Sequence, residues 1–391
     1  MIVVTGYGMK GPMIDNTKQF QQILENGTCT LNICQKIGPN ETDILCGQIA
    51  HTKHRIDGKN YRSYPKVARL ALLAAVEAVE MAGLREKMQG RRVAVIIGTS
   101  TGGLIDIEKG AAFSSAGNSS QFPPLSAGLS NFHSGASAIT AHFGLNGLTL
   151  TLTNGCTAST DAIVMGKLLL ETGQADICMV GGAEAPITPF AIYSFYKGND
   201  MNGTAEAFGR PFQEDCDGFV FSEGAGVLIL EREADALQRE IAVQGIVAKG
   251  SSNNDGLSIY KSDLSGTWMI EAMRELMEGQ MPTYVNSQAL GLDSNDNVEK
   301  EVHRQLFDAS VPITSIKGMI GHPFGAAGAM QAISALISIR DGFIPPTTRS
   351  NGCGFEDLPI VFETMRRHVQ SVAITSHGFG GNNSCLLISK Y

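Results

Sequence analysis

Apolar and polar positions alternate along this chain with two different periods. Short, mostly apolar runs at 2–5, 92–97, 150–153, 176–184 and 224–231 read as strands buried on both faces. Between them lie stretches with apolar positions three and four apart. Residues 64–82 place Val67, Leu70, Ala71, Ala74, Ala75 and Ala78 on one face, which predicts a helix, ended at Gly83. A second small-residue helix is predicted over 134–143. Beyond residue 240 the alternation repeats more weakly. Strands are predicted near 242–249, 284–286, 371–375 and 384–388, and helices over 266–277, 296–307 and 325–339. Residues 26–60 and 195–215 read as polar and irregular. Two comparable halves, 1–240 and 241–391, then predict α/β layers around mostly parallel sheets.

One stretch concentrates the chemistry. Leu150-Thr151-Leu152-Thr153-Asn154-Gly155-Cys156-Thr157-Ala158-Ser159-Thr160 reads as a strand, a sharp turn at Gly155, a cysteine and a helix. The helix is apolar nearly all round through 162–170, which predicts that it is buried. Cys156 would then stand at the N-terminus of an interior helix, where free amides favour a thiolate and a developing oxyanion. The stretch alone fits a small core cysteine equally well.

Gly6-Tyr7-Gly8-Met9-Lys10-Gly11 matches the dinucleotide fingerprint after a strand, which by itself points to a nicotinamide-dependent oxidoreductase. The context argues against it. Pro12 follows, the next helix starts near Asn16 with an Asx cap, and no acid-tipped strand lies about 20 residues on.

Composition narrows the remaining classes. The chain has 391 residues, 43% hydrophobic and 17% charged, with a formal net charge of −8 and no basic stripe, which excludes nucleic acid as the expected partner. No apolar run reaches the roughly 18 residues of a membrane span, and no leader is expected. Eight cysteines occur without a CxxC pair or zinc spacing, which predicts a reduced, cytoplasmic protein with no metal.

A cysteine at a helix start, a histidine behind a glycine and a Gly-Phe-Gly-Gly loop together suggest acyl transfer through a thioester. The ordered set resembles the β-ketoacyl-acyl-carrier-protein synthases of type II fatty acid and polyketide synthesis. The residues carrying it are Val4-Thr5-Gly6, Asn154-Gly155-Cys156-Thr157-Ala158-Ser159, Gly181-Gly182-Ala183-Glu184, Gly209-Arg210-Pro211-Phe212, Asp217-Gly218-Phe219-Val220 and Glu223-Gly224-Ala225-Gly226. Lys317, Gly321-His322, Gly325-Ala326-Ala327-Gly328-Ala329, Pro345-Pro346-Thr347 and Gly378-Phe379-Gly380-Gly381-Asn382-Asn383 complete it.

The resemblance implies a thiolase-like fold, two duplicated α/β halves in five α-β-α-β-α layers, acting as a dimer. Cys156 would match the acylated nucleophile. The amides of Cys156 and Phe379 would form the oxyanion hole, and Phe379 would also match a gate for the acyl chain. His322 would match one of two histidines that hold the malonyl thioester carbonyl as carbon dioxide leaves, and Lys317 the lysine that stabilises this centre. No resident cofactor is implied, because phosphopantetheine arrives on the acyl carrier protein. Where the family has Asn-Ala-His-Gly-Thr-x-Thr, this chain reads Asn286-Ser287-Gln288-Ala289-Leu290-Gly291-Leu292. Asp296 and Glu299 keep their spacing, so the second histidine has become Gln288 and both threonines leucine. A glutamate downstream has become Gln331.

Losing one donor to a developing oxyanion costs about 10²–10³ in rate. A glutamine amide still donates but carries no proton at neutral pH. Each lost hydroxyl removes a carrier-arm hydrogen bond of about 0.5–1.5 kcal/mol. The favoured expectation is therefore a condensation-impaired, chain-length-factor-like partner of an active ketosynthase, in a heterodimer rather than a homodimer. It would belong to a fatty acid or polyketide system, aryl polyene systems among them. Retention of Cys156 supports the alternative, an active synthase with a Cys–Gln–His site. His133, His142 and His377 are further residues that could pack near the site, and His377 stands where the family usually has an apolar aromatic. Cys178 and Cys385 read as strand core.

Overall fold

The computed structural model describes residues 1–118, 120, 122, 124, 126–198, 207–216 and 218–391; Asp217 lies outside them. Ten strands form the main sheet: β1 Ile2–Lys10, β2 Val93–Gly98, β3 Thr149–Leu152, β4 Ile177–Glu184, β5 Gly224–Arg232, β6 Gly245–Asn254, β7 Tyr284–Asn286, β8 Ile313–Thr314, β9 Ser371–Gly378 and β10 Asn382–Ser389. Its order is β3-β2-β4-β5-β1 followed by β6-β10-β9-β7-β8. Counted within each half and read from its outer edge to the seam, both run third, second, fourth, fifth, first, so the second half repeats the topology of the first. They join where Val3 and Val4 of β1 face Ile246 and Gly245 of β6.

The sheet is mixed, which corrects the mostly parallel expectation. β2 runs parallel to β3 and β4, and β7 to β8 and β9. The pairs β1–β5, β4–β5, β6–β10 and β9–β10 are antiparallel. Buried antiparallel strands carry the same unbroken apolar runs as parallel ones, so direction was not legible.

Seven principal helices are α1 Thr17–Asn26, α2 Lys66–Met81, α3 Ser134–Phe143, α4 Ala158–Glu171, α5 Thr267–Met277, α6 Asp293–Leu306 and α7 Ala327–Asp341. Strand side chains alternate between faces, and this alternation sorts them into layers. Ile96, Val180 and Leu228 pack with residues of α4 and α7 in a central core. Val95, Met179 and Val227 point the other way, onto α2 and α3. Val285, Ala373 and Leu387 meet α5 and α6. The result is the five-layered thiolase-like arrangement.

In α7 residues 327–339 are all inside, and only its last two residues reach the surface. The helix after Cys156, α4, was expected to be enclosed all round, but Leu168 is 50% exposed. Close packing in the middle layer depends on Gly328, where a Cβ would overlap the Thr160 hydroxyl of α4.

The first two glycines of the fingerprint lie inside β1 and the third just past its end, and they form no phosphate loop. A Cβ at Gly6 or Gly8 would collide with the carbonyl oxygens of Ala78 or Ala74, so these glycines let α2 lie directly on the strand. Residues 26–60 are not structureless either. Asn32–Cys34 pairs antiparallel with Ile44–Gly47, which runs parallel to Phe221–Ser222. Cys34 and Cys46 form a disulfide across this small sheet, which corrects the expectation that all the cysteines are reduced; their 12-residue separation gives no sequence signal. Pro189–Gly198 is helical where an irregular stretch was expected from residue 195. No helix among the described residues is long and apolar enough to cross a membrane.

Candidate active site

β3 ends at Leu152, and the chain turns through Gly155 (φ 74°) into a 3₁₀ turn, Gly155–Thr157, that feeds α4. A positive φ at this point favours glycine. The turn is pinned by side chains: the Asn382 amide donates to the Asn154 carbonyl at 3.2 Å, and the Thr157 hydroxyl donates to the same oxygen at 3.2 Å. Cys156 is buried, 8% exposed. The end of β9 lies against it. Ser376 donates its hydroxyl to the Cys156 carbonyl at 3.1 Å. A Cβ at Gly378 would stand 3.0 Å from the Cys156 Cβ and 3.2 Å from its amide nitrogen and its sulfur.

His322 reaches the same sulfur from the other half. Its backbone pairs with the 220–222 segment, accepting from the Ser222 amide at 3.1 Å and donating to the Val220 carbonyl at 2.8 Å. Its Nε2 lies 3.2 Å from the Cys156 Sγ. Phe324 stacks on the imidazole at 4.9 Å, and Phe219 meets it edge-on at 5.6 Å.

Electrostatics set the resting state of this pair. Burial pushes the Cys156 thiol up to about 12, although Lys317 pulls the other way. Burial, reinforced by Lys317 and His377, holds His322 well below the ordinary histidine range. At neutral pH the pair is thiol and neutral imidazole. This corrects the expected thiolate: the desolvation of a buried sulfur outweighs a helix terminus. A neutral imidazole beside a thiol can take its proton.

Lys317 opens a short helical turn, Lys317–Ile320. It is 2% exposed, and its Nζ finds no hydrogen-bond partner among the described residues. Burial lowers its pKa to about 8, against the pull of Glu299, Cys156 and Asp296.

Gln288 follows β7 and is fully buried. Its side-chain amide donates to the His377 carbonyl at 3.2 Å, and its backbone amide donates to the Thr375 hydroxyl at 3.0 Å. Leu290 and Leu292 pack into the apolar cluster that contains Cys156, Phe219 and Phe324. Gln331 of α7 donates to the carbonyls of Asn286 at 3.0 Å and Ser287 at 3.2 Å. Asp296 accepts from the backbone amides of Phe212, Leu290 and Gly291. Its burial nonetheless raises it to about 6.

Phe379 is split between interior and rim. Its carbonyl lies beside Gly155, while its ring is 43% exposed and packs on Phe195 at 5.3 Å.

Of the expected residues, Cys156 and His322 are thus in contact. Lys317 is close enough to bias the thiol, Gln288 is bound to β9, and Phe379 borders the cysteine turn. His142 is not at the site; it bonds Tyr61 at 2.6 Å and Asp57 at 3.0 Å in an outer layer. His133 bonds Thr151 of β3 at 2.8 Å. Cys178 and Cys385 are buried in β4 and β10. The sequence did not single out the aromatic cage of Phe195, Phe219, Phe221 and Phe324, since its members come from three separate segments. Glu184, quoted from the sequence only as part of a motif and given no role, has a carboxylate that accepts from the amides of Ser100 and Gly325 and braces the turn before α7.

Comparison with known proteins bears on the whole chain. Residues 1–236 match the family model for the N-terminal domain of β-ketoacyl synthase, and residues 244–351 match that for its C-terminal domain. A putative polyketide β-ketoacyl synthase 1 of Streptomyces halstedii is 28% identical over 416 residues, covering 99% of this chain and 97% of the relative. The ishigamide ketosynthase/chain length factor superposes with a TM-score of 0.90 at 24% identity, covering 100% of this chain and 99% of the other. A type II polyketide ketosynthase in complex with its acyl-carrier protein gives 0.88 at 24% identity, with coverage of 100% and 99%.

Proposed function

Because the chain belongs to the β-ketoacyl synthase family, we propose that it is a ketosynthase subunit of a type II fatty acid or polyketide system, aryl polyene systems included. It takes an acyl chain from a carrier-protein thioester onto Cys156. The observation that carries this is the 3.2 Å contact between the Cys156 sulfur and the His322 Nε2, with both groups neutral at rest. His322 takes the thiol proton as sulfur attacks the thioester carbonyl. The amides of Cys156 and Phe379 hold the resulting oxyanion. Collapse expels the phosphopantetheine thiolate, which recovers the proton, and leaves the acyl group on Cys156. Decarboxylation of a malonyl thioester then supplies the carbanion that attacks this acyl carbonyl. Solved relatives that join a ketosynthase to a carrier protein or to a chain length factor support the same two partners here.

A second reading has two observations in its favour. Gln288 spends its donor on a backbone carbonyl, and Leu290 fills its corner with an apolar side chain. Both fit a chain-length-factor-like subunit that leaves condensation to its partner.

The test is to purify the protein alone and with a co-encoded synthase, then supply acyl- and malonyl-carrier protein. An acyl adduct by intact mass, absent in Cys156→Ala, with extended product from the isolated protein, is the expected result. Product only from the pair favours the second reading. No adduct under either condition overturns acyl transfer at Cys156.

A further inference from the structure

We infer that His377 supplies the second imidazole that position 288 lacks, and that it contacts the malonyl thioester directly. The inference rests on the ketosynthase reading above and adds a residue to it.

His377 precedes Gly378, the residue packed on the Cys156 sulfur, and its side chain is buried. Its Nε2 lies 3.0 Å from the Glu299 carboxylate of α6. Glu299 is otherwise held by the hydroxyls of Ser287 at 2.6 Å and Thr375 at 2.7 Å. Ser287 is the neighbour of Gln288, and Gln288 donates to the His377 carbonyl. Positions 288 and 377 therefore brace each other across β7 and β9. Two departures from the family pattern meet here: an imidazole is missing from one strand, and an imidazole replaces an apolar ring on the strand beside it.

The chemistry follows from Glu299. A buried carboxylate beside an imidazole orients the ring; burial raises Glu299, but His377 and the hydroxyls outweigh it, and the carboxyl falls below its ordinary range. Nε2 faces the Glu299 carboxylate, which leaves Nδ1 as the ring nitrogen offered to substrate. As the bond between the malonyl carboxylate and its α-carbon breaks, carbon dioxide leaves and the electron pair moves into the thioester as an enolate. The Nδ1–H of His377 donates to that enolate oxygen. When the enolate attacks the acyl group on Cys156, the thioester carbonyl re-forms, the cysteine leaves as thiolate, and it takes up from solvent the one proton that the condensation consumes, restoring thiol and neutral imidazole. His377 ends as it began.

The experiment follows carbon dioxide release from malonyl-carrier protein alongside the rate of Cys156 acylation, in wild type, His377→Phe, His377→Gln and the double variant His377→Phe/Gln288→His. Thermal melting serves as the folding control, and His377→Gln keeps a polar side chain should the aromatic variant fail to fold. Expected is a loss of about 10²–10³ in decarboxylation with acylation within a few-fold of wild type, and recovery in the double variant. Decarboxylation that survives His377→Phe with folding intact overturns the inference. So does a wild-type protein that acylates Cys156 but releases no carbon dioxide, and that result leaves acyl transfer standing. Absence of acylation with decarboxylation dependent on His377 would instead sink the acyl-transfer reading alone.

Discussion

The sulfur of Cys156 and the Nε2 of His322 are 3.2 Å apart, and neither carries a charge at neutral pH. The nucleophile is made only when substrate arrives, by proton transfer across that gap. A thiolate–imidazolium pair would alkylate at a rate independent of pH over the neutral range. With the thiol pushed up to about 12, alkylation of Cys156 by iodoacetamide should instead rise about tenfold per pH unit from 7 to 10. Intact mass against Cys156→Ala isolates this thiol from the other cysteines. A plateau below pH 8 would contradict the neutral pair.

Lys317 carries an opposite liability. Its pKa falls from 10.5 to about 8 on folding, so between those values the unfolded chain binds more protons than the native one. Stability contributed by this group is full above 10.5 and is lost as pH falls through 8. At pH 7 the buried ammonium costs about 3 kcal/mol, taking 1.36 kcal/mol per pKa unit. Lys317→Met should therefore stabilise the protein at pH 7 and lose that advantage steadily toward pH 9.5, measured by denaturant unfolding. The same variant should slow Cys156 alkylation, because the positive charge no longer favours the thiolate.

Gln331 stands where the family usually carries a glutamate. Here its side-chain amide donates to the carbonyls of Asn286 and Ser287. Gln331→Glu removes these bonds and sets a carboxylate against carbonyl oxygens in the interior. The expected loss is about 1–3 kcal/mol, read as a lower denaturation midpoint. An unchanged midpoint would mean that the brace between β7 and α7 is dispensable.

Most strands and helices were legible from period, whereas the five layers and the pairing of Cys156 with His322 came from the family resemblance. Three things were not legible. Strand direction was hidden because β5 and β10 are buried on both faces, which erases the alternation that marks an antiparallel strand. The disulfide of Cys34 with Cys46 joins strands too short to show a pattern. The partnership of His377 with Glu299 spans residues from different elements, and no spacing rule connects them. The thiolate failed for another reason: a helix terminus is visible in sequence, whereas the depth at which a sulfur lies is not.

The repeated strand order gives Cys156 and His322 matching addresses. Each precedes a 3₁₀ turn or stands in one, at the entrance of the middle-layer helix of its own half. Those helices meet where Gly328 sits over Thr160. The seam between the two repeats thereby works as a calliper, and its setting is the width across which the proton must pass. A side chain added there, well away from either reacting group, would spread the jaws and disarm the nucleophile without touching it.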